Sequence, residues 1–213
     1  MPAGTRRSSA AAGAVALLSF LAARPVPVHA ADPGTASPGT PPASRRVAGV
    51  VHVSGRPQAG VVVWLDAPAP TRPRAGAQAV VLDQRNMRFT PRLLVVPVGT
   101  TVEMPNSDRV FHNVFSFRDG KVFDLGLYPV GQSRSVTFDR PGVSRLFCNI
   151  HPTMAAYVVV VDSPYYAITD TRGRFSMDAV PDGSHTYHTW RPGADPSQGT
   201  LDAATDDLSI ALP

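Results

Sequence analysis

The sequence predicts an all-β protein, a sandwich or barrel, and three observations lead there. Short apolar runs, several of them alternating, recur between Gly, Pro, Asn and Asp turn signals. The chain carries 22 prolines and 17 glycines with only 17% charged residues, a mix that disfavours long helices. No stretch of the body of the chain shows the apolar spacing of an amphipathic helix.

Taken in order, residues 47–53 alternate weakly and end at Ser54-Gly55-Arg56-Pro57, a turn. Residues 60–65 are a short apolar strand, and 68–77 a Pro-rich loop. A new set of strands starts at 79–83 and continues through 93–98 and 101–104, which Asn106 ends. Residues 110–117 form the strand that carries His112, and Arg118-Asp119-Gly120 reads as a hairpin turn. Strands follow at 133–138, 143–148 and 155–161, whereas 121–131 shows no assignable element. A smaller β unit then follows, with strands at 165–169, 174–177, 184–190 and 208–212 and turns at Asp170 to Gly173 and Pro181-Asp182-Gly183.

The N-terminal segment differs from the rest. Arg6 and Arg7 precede an apolar run over 10–23, and Val28-His29-Ala30 is a small-x-small cleavage site. Residues 1–30 therefore read as a secretory signal peptide, too short in its apolar run for the ~20 residues of a membrane span. General and twin-arginine export both remain open. Residues 31–46 read as a flexible linker rich in Pro, Gly, Thr, Ser and Ala. The formal charge of +4 owes three of its 20 basic residues, Arg6, Arg7 and Arg24, to the leader. The remainder is nearly neutral and has no Lys/Arg cluster, which speaks against nucleic acid as a partner. No membrane span is expected after cleavage, and the location expected is periplasmic or secreted.

The chemistry concentrates in Cys148-Asn149-Ile150-His151-Pro152-Thr153-Met154. The stretch holds the single cysteine, which has no partner for an internal disulfide. Thiol, imidazole and thioether follow at three-residue steps, with strands on both sides. A thiolate, two imidazoles and a weak axial thioether are the donor set that suits copper. His112, in the preceding Phe111-His112-Asn113-Val114, can supply the second imidazole. Pro152 restricts the loop. The plainer alternative is a buried cysteine and methionine beside a loop histidine. Zinc competes less well, because closed structural zinc sites use four Cys/His donors. A Cys/His nucleophile pair lacks a recognisable orienting group or oxyanion device.

At these residues the sequence resembles the cupredoxins, in particular the plastocyanin/amicyanin-like group. The resemblance spans about 79–162. It includes Phe89-Thr90-Pro91, Val98-Gly99-Thr100-Thr101-Val102, Asn106-Ser107-Asp108, His112-Asn113-Val114, Pro141-Gly142 and the Cys148 to Met154 loop. Phe123-Asp124-Leu125-Gly126-Leu127-Tyr128 and Cys148-Asn149-Ile150-His151-Pro152 are similar to a bacterial subgroup often labelled methylamine-utilisation or plastocyanin-like proteins, a label that does not establish a role in amine oxidation. The resemblance implies a Greek-key β-sandwich over 78–162. It implies one type 1 copper ion held by His112, Cys148, His151 and Met154, with Asn113 tying the first histidine strand to the cysteine loop and Pro152 also supporting the ligands. The outer segments, 47–77 and 163–213, resemble a carboxypeptidase-regulatory-like, transthyretin-type β module. Either that module is split around the cupredoxin or the two are consecutive.

The function expected is single-electron transport between redox partners such as a c-type cytochrome or a dehydrogenase. Copper delivery without redox traffic is the alternative, and an enzyme is not expected, because no second copper set is apparent. Glu103, the only glutamate, could stand in as an unusual copper ligand but reads as a solvent-facing strand residue. His185 and His188, three apart on a strand, should face opposite ways. His52 reads as a similarly unrelated strand histidine. Trp64 and Trp190 read as core or interface residues of the outer module.

Overall fold

In the computed structural model the described residues are 43–68, 79–117, 119–205 and 208–213. The expected signal peptide, residues 31–42 of the linker and most of the Pro-rich loop lie outside them. Among the described residues every element is a strand. These are β1 (Ser44–Val53), β2 (Arg56–Pro57), β3 (Val62–Asp66), β4 (Val80–Val81), β5 (Asp83–Arg85) and β6 (Arg88–Thr90). Then come β7 (Leu93–Pro97), β8 (Thr100–Pro105), β9 (His112–Ser116), β10 (Phe123–Tyr128), β11 (Ser133–Phe138) and β12 (Gly142–Phe147). The last are β13 (Ala155–Val161), β14 (Tyr166–Ile168), β15 (Arg174–Pro181), β16 (Ser184–Trp190), β17 (Ser197–Asp202) and β18 (Leu208–Leu212).

One sandwich joins a sheet of order β10-β9-β12-β13-β7 to a sheet of order β11-β8-β4. Its strands alternate as a half-buried sheet requires: Val102 and Met104 of β8 point inward while Thr101 and Glu103 face solvent. Phe89, Val102, Met104, Val114, Phe138, Leu146 and Val158 meet in its core. Each such side chain contributes about 1.5–3 kcal/mol by leaving water. Cys148 and Met154 lie in the same cluster.

Strands β5 and β6 form a separate hairpin, and the others make a second pair of sheets, β15-β1-β18 with β2 beside β1, and β14-β3-β16-β17. Val47, Val51, Val63, Leu65, Phe175, Met177 and Ile210 fill the space between them. Strand β3 is apolar on both sides because its outer face is covered too. Val62, Trp64 and Trp190 pack there against Val95, Val159 and Val161 of β7 and β13. The two tryptophans thus sit where the two sandwiches meet.

Three local outcomes differ from the sequence reading. Residues 121–131, left unassigned, contain β10, whose pairing with β9 shifts register between Asp124 and Leu127. Gly126 there has φ of 64°, so the two-residue alternation is broken and the strand is hard to see. Strand β17 is polar and lies at a sheet edge, with little apolar signal. The linker reading over 31–46 runs too far, because Ser44 and Arg45 already pair with Pro181 and Val180. Arg45 also forms a 2.6 Å ion pair with Asp182, a partner that composition does not reveal.

Candidate metal centre

The antiparallel pair β12–β13 brings Phe147 opposite Ala155, so residues 148–154 form the connection at its end. Two backbone bonds close that loop: the Cys148 amide donates to the Met154 carbonyl at 3.3 Å, and the Met154 amide to the His151 carbonyl at 2.9 Å. Pro152 and Thr153 form the turn between. On the other side, β12 pairs with β9 through Phe147 and Phe115, which sets His112 beside the loop.

His112 Nδ1, His151 Nδ1 and Cys148 Sγ converge. The nitrogens are 3.0 Å apart, and the sulfur is 3.9 Å from His112 and 3.6 Å from His151. His112 is fully buried, Cys148 is 4% exposed, and His151 is half-buried at the rim. Met154, 1% exposed, packs in the same core cluster as Cys148. Glu103 faces solvent on β8, away from the core.

The outer nitrogen of His112 fixes its chemistry. His112 Nε2–H faces Asp108 Oδ2 at 3.1 Å, the tautomer that leaves the Nδ1 lone pair turned toward Cys148 and His151. Asp108 is itself held. The Met87 amide donates to the same oxygen at 2.6 Å, the Arg109 amide to Oδ1 at 2.9 Å, and the Asp108 amide to Asn106 Oδ1 at 3.0 Å. The Met87 bond is the largest cause holding the Asp108 carboxyl below its usual range. Partial burial opposes it, and the bonds from His112 and Arg109 add to it. Buried Asn106 also donates to the carbonyls of Val110 and Tyr128. Asp108 and Asn106 were quoted in the sequence motif without a role. The signal available was a carboxylate four residues before a candidate ligand histidine.

Further out, the Tyr128 hydroxyl donates to the Met104 carbonyl at 2.9 Å and is bonded by Gln84. Burial pushes Tyr128 up to about 12. Asn113 departs from the expectation that it ties the histidine strand to the cysteine loop. Its amide donates to Asp124 Oδ1 at 2.6 Å, and its own Oδ1 is buried with no partner among the described residues. The cause is β10, which lies beside β9 and presents Asp124 to it. The other histidines among the described residues are dispersed. His185 bonds the Pro181 carbonyl, His188 bonds Asp66 and stacks on Trp64, and His52 lies 3.4 Å from the Ser209 hydroxyl.

Two imidazole nitrogens and a sulfur this close together must either share a proton or surround a cation. The sulfur–nitrogen separations of 3.9 and 3.6 Å suit bonds of about 2.0 Å to nitrogen and 2.3 Å to sulfur on one small ion, and the two nitrogens, at 3.0 Å, would have to part slightly to hold it. A soft thiolate with two imidazoles selects copper over hard cations. The donor set thus fits one type 1 copper ion and defines a mononuclear metal centre on a β-sandwich.

Residues 77–161 match the copper-binding proteins of the plastocyanin/azurin family. That likeness points to blue-copper electron transfer, and the outer strands lie beyond it. No curated protein matches the chain. Among similar solved structures, a purple cupredoxin from Nitrosopumilus maritimus is 29% identical over 38% of this chain and 99% of its own, with a TM-score of 0.36. An amicyanin variant in the Cu(I) form is 26% identical over 46% and 98%, with a TM-score of 0.38. A copper-containing nitrite reductase from Thermus scotoductus SA-01 is 25% identical over 45% of this chain and 25% of its own, with a TM-score of 0.38. The last corrects the expectation that the chain is not an enzyme. A similar stretch forms part of an enzyme's chain there.

Proposed function

We propose that the chain is an exported type 1 copper protein that carries single electrons between redox partners, such as a c-type cytochrome or a dehydrogenase. The convergence of His112 Nδ1, His151 Nδ1 and Cys148 Sγ at a buried hairpin end is the observation that carries this reading. Copper held there supplies a one-electron Cu(II)/Cu(I) couple. Cys148 as thiolate and the two imidazoles would hold it, with the Met154 thioether as a further, weaker donor. Asp108 keeps His112 in the ligating tautomer, and the two loop bonds hold the Cys148 to Met154 connection in place. Donors fixed in this way need little rearrangement when the charge of the site changes. His151, half-buried at the rim, is the ligand nearest a partner. Export rests on the leader character of residues 1–30, which gives a periplasmic or secreted location.

The reading includes a split outer module, with 47–77 and 163–213 enclosing 78–162. The pairing of β1 with β15 and β18, and of β3 with β14 and β16, supports it. The test is colour. The copper-loaded protein should show an intense visible band that ascorbate bleaches with one electron per chain. A colourless copper complex would overturn the reading in favour of copper delivery.

A further inference from the structure

The end of the sandwich that carries the ligands exposes large apolar side chains. Phe111 precedes His112 and Ile150 precedes His151, and both side chains are exposed, at 54% and 45%. Val110 and Met87 are exposed at the same end. Large apolar groups gathered at one surface mark a contact site. The rim is positive. Arg88 and Arg92 line a cleft of about 400 Å³ together with Met87, Thr153 and Met154. Arg109 lies between Asp108 and Val110. All three arginines are exposed, and no carboxylate among the described residues pairs with them. Asp108, the carboxylate at this end, is taken up by Met87, Arg109 and His112. Elsewhere Arg85 pairs with Asp83, Arg45 with Asp182 and Lys121 with Asp139. The chain without its leader is nearly neutral, so this charge is local.

We infer that this end docks an acidic protein, with Phe111, Ile150, Val110 and Met87 as the apolar contact and Arg88, Arg92 and Arg109 as the steering rim. The inference rests on the electron-carrier function proposed above. Arginine beside exposed apolar groups is the composition of a protein interface, and unpaired charge accelerates encounter with the opposite sign. An anionic bilayer has the same sign but holds no redox group to meet His151.

Two measurements on the full chain test it. In the first, backbone NMR is recorded on the metal-free protein with poly-L-glutamate and with the redox-inert paramagnetic anion hexacyanochromate(III). Resonances of residues 87–92, 109–111 and 150–153 should shift with the peptide and broaden with the anion. Both effects should vanish in the triple variant Arg88→Ser, Arg92→Ser, Arg109→Ser, whose signal dispersion shows that it folds. Perturbation centred on Arg56 or Arg191 instead, or none anywhere, overturns the inference. So does stronger binding to phosphatidylglycerol vesicles than to the peptide. The second measurement is the reduction rate of the copper-loaded protein. Hexacyanoferrate(II) should lose about tenfold in rate as ionic strength rises, and the triple variant should lose that dependence. Electron uptake with no salt dependence sinks the docking surface alone. Failure to take an electron from either hexacyanoferrate(II) or hexaammineruthenium(II) sinks the carrier reading, while the NMR result still stands.

Discussion

The ligand hairpin and the outer strands are built by opposite means. Cys148, His151 and Met154 lie within seven residues, on the connection of two strands that are neighbours in sequence and in space. Strand β1, by contrast, takes both its long neighbours from far along the chain: residues 174–181 on one side and 208–212 on the other. The first arrangement is encoded by spacing and donor chemistry. The second is encoded only by which faces must be buried and by whether backbones can approach. Substitutions in the two regions should therefore fail in different ways, one losing chemistry and the other losing stability.

The largest expected effect is at the hairpin. Cys148→Ser removes the thiolate that gives copper its charge-transfer colour, so the visible band should vanish completely. The β-type circular dichroism should persist, because the fold rests on sandwich packing. A serine variant that keeps the band would show that Cys148 is not the sulfur donor.

Gly49→Val is the matching change in the outer strands. Gly49 faces Leu208 across the parallel β1–β18 pair, and a Cβ there would come within 2.4 Å of the Leu208 carbonyl oxygen. The clash should cost about 1–3 kcal/mol, read in chemical denaturation. The visible band should be unchanged. Bleaching of the band without loss of stability would mean that the two regions do not separate as described.

How much could be read in the sequence follows the same division. The ligand loop was legible because its donors are few, local and chemically distinctive. His112 was legible because the site needed a second imidazole from a nearby strand. Asp108 was not, because its position depends on the β5–β6 hairpin reaching back to bond it through Met87. Strand β10 escaped because a bulge breaks its alternation, and with it went the Asp124 partner of Asn113. Strand β17 escaped because its edge needs few apolar residues. The alternating inner strands were read from period alone.

Asp108→Ala probes the part of the site that the motif left unexplained. Without the carboxylate, His112 loses the bond that fixes its tautomer, and the Met87 amide loses its acceptor. Copper affinity should fall about 10–100-fold in competition with a chelator. Asp108→Asn, which keeps an acceptor oxygen, should recover part of that loss. Equal affinity in all three proteins would leave Asp108 a loop brace with no bearing on the metal.

The smallest effect should come from Asp170, at the turn between β14 and β15. Its Oδ1 accepts the amides of Arg172 and Arg174, each at 2.8 Å. The Arg174 bond, then the Arg172 bond, holds the carboxyl below its ordinary value of 3.8, against slight desolvation. A depressed folded pKa means that the charged form is bound more tightly in the native state than in the unfolded chain. The stabilisation is therefore complete above the ordinary value and disappears as pH falls through the depressed one. Asp170→Asn imitates the protonated form. Its melting temperature should lie below that of the parent at neutral pH, and the gap should narrow progressively below about pH 4, where the parent loses the same charge. The group is exposed, so solvent screens the interaction and the shift should be small. A gap that stays constant from neutral to acid pH would show that the carboxylate's charge contributes nothing to the turn's stability, because the parent would then lose nothing on protonation.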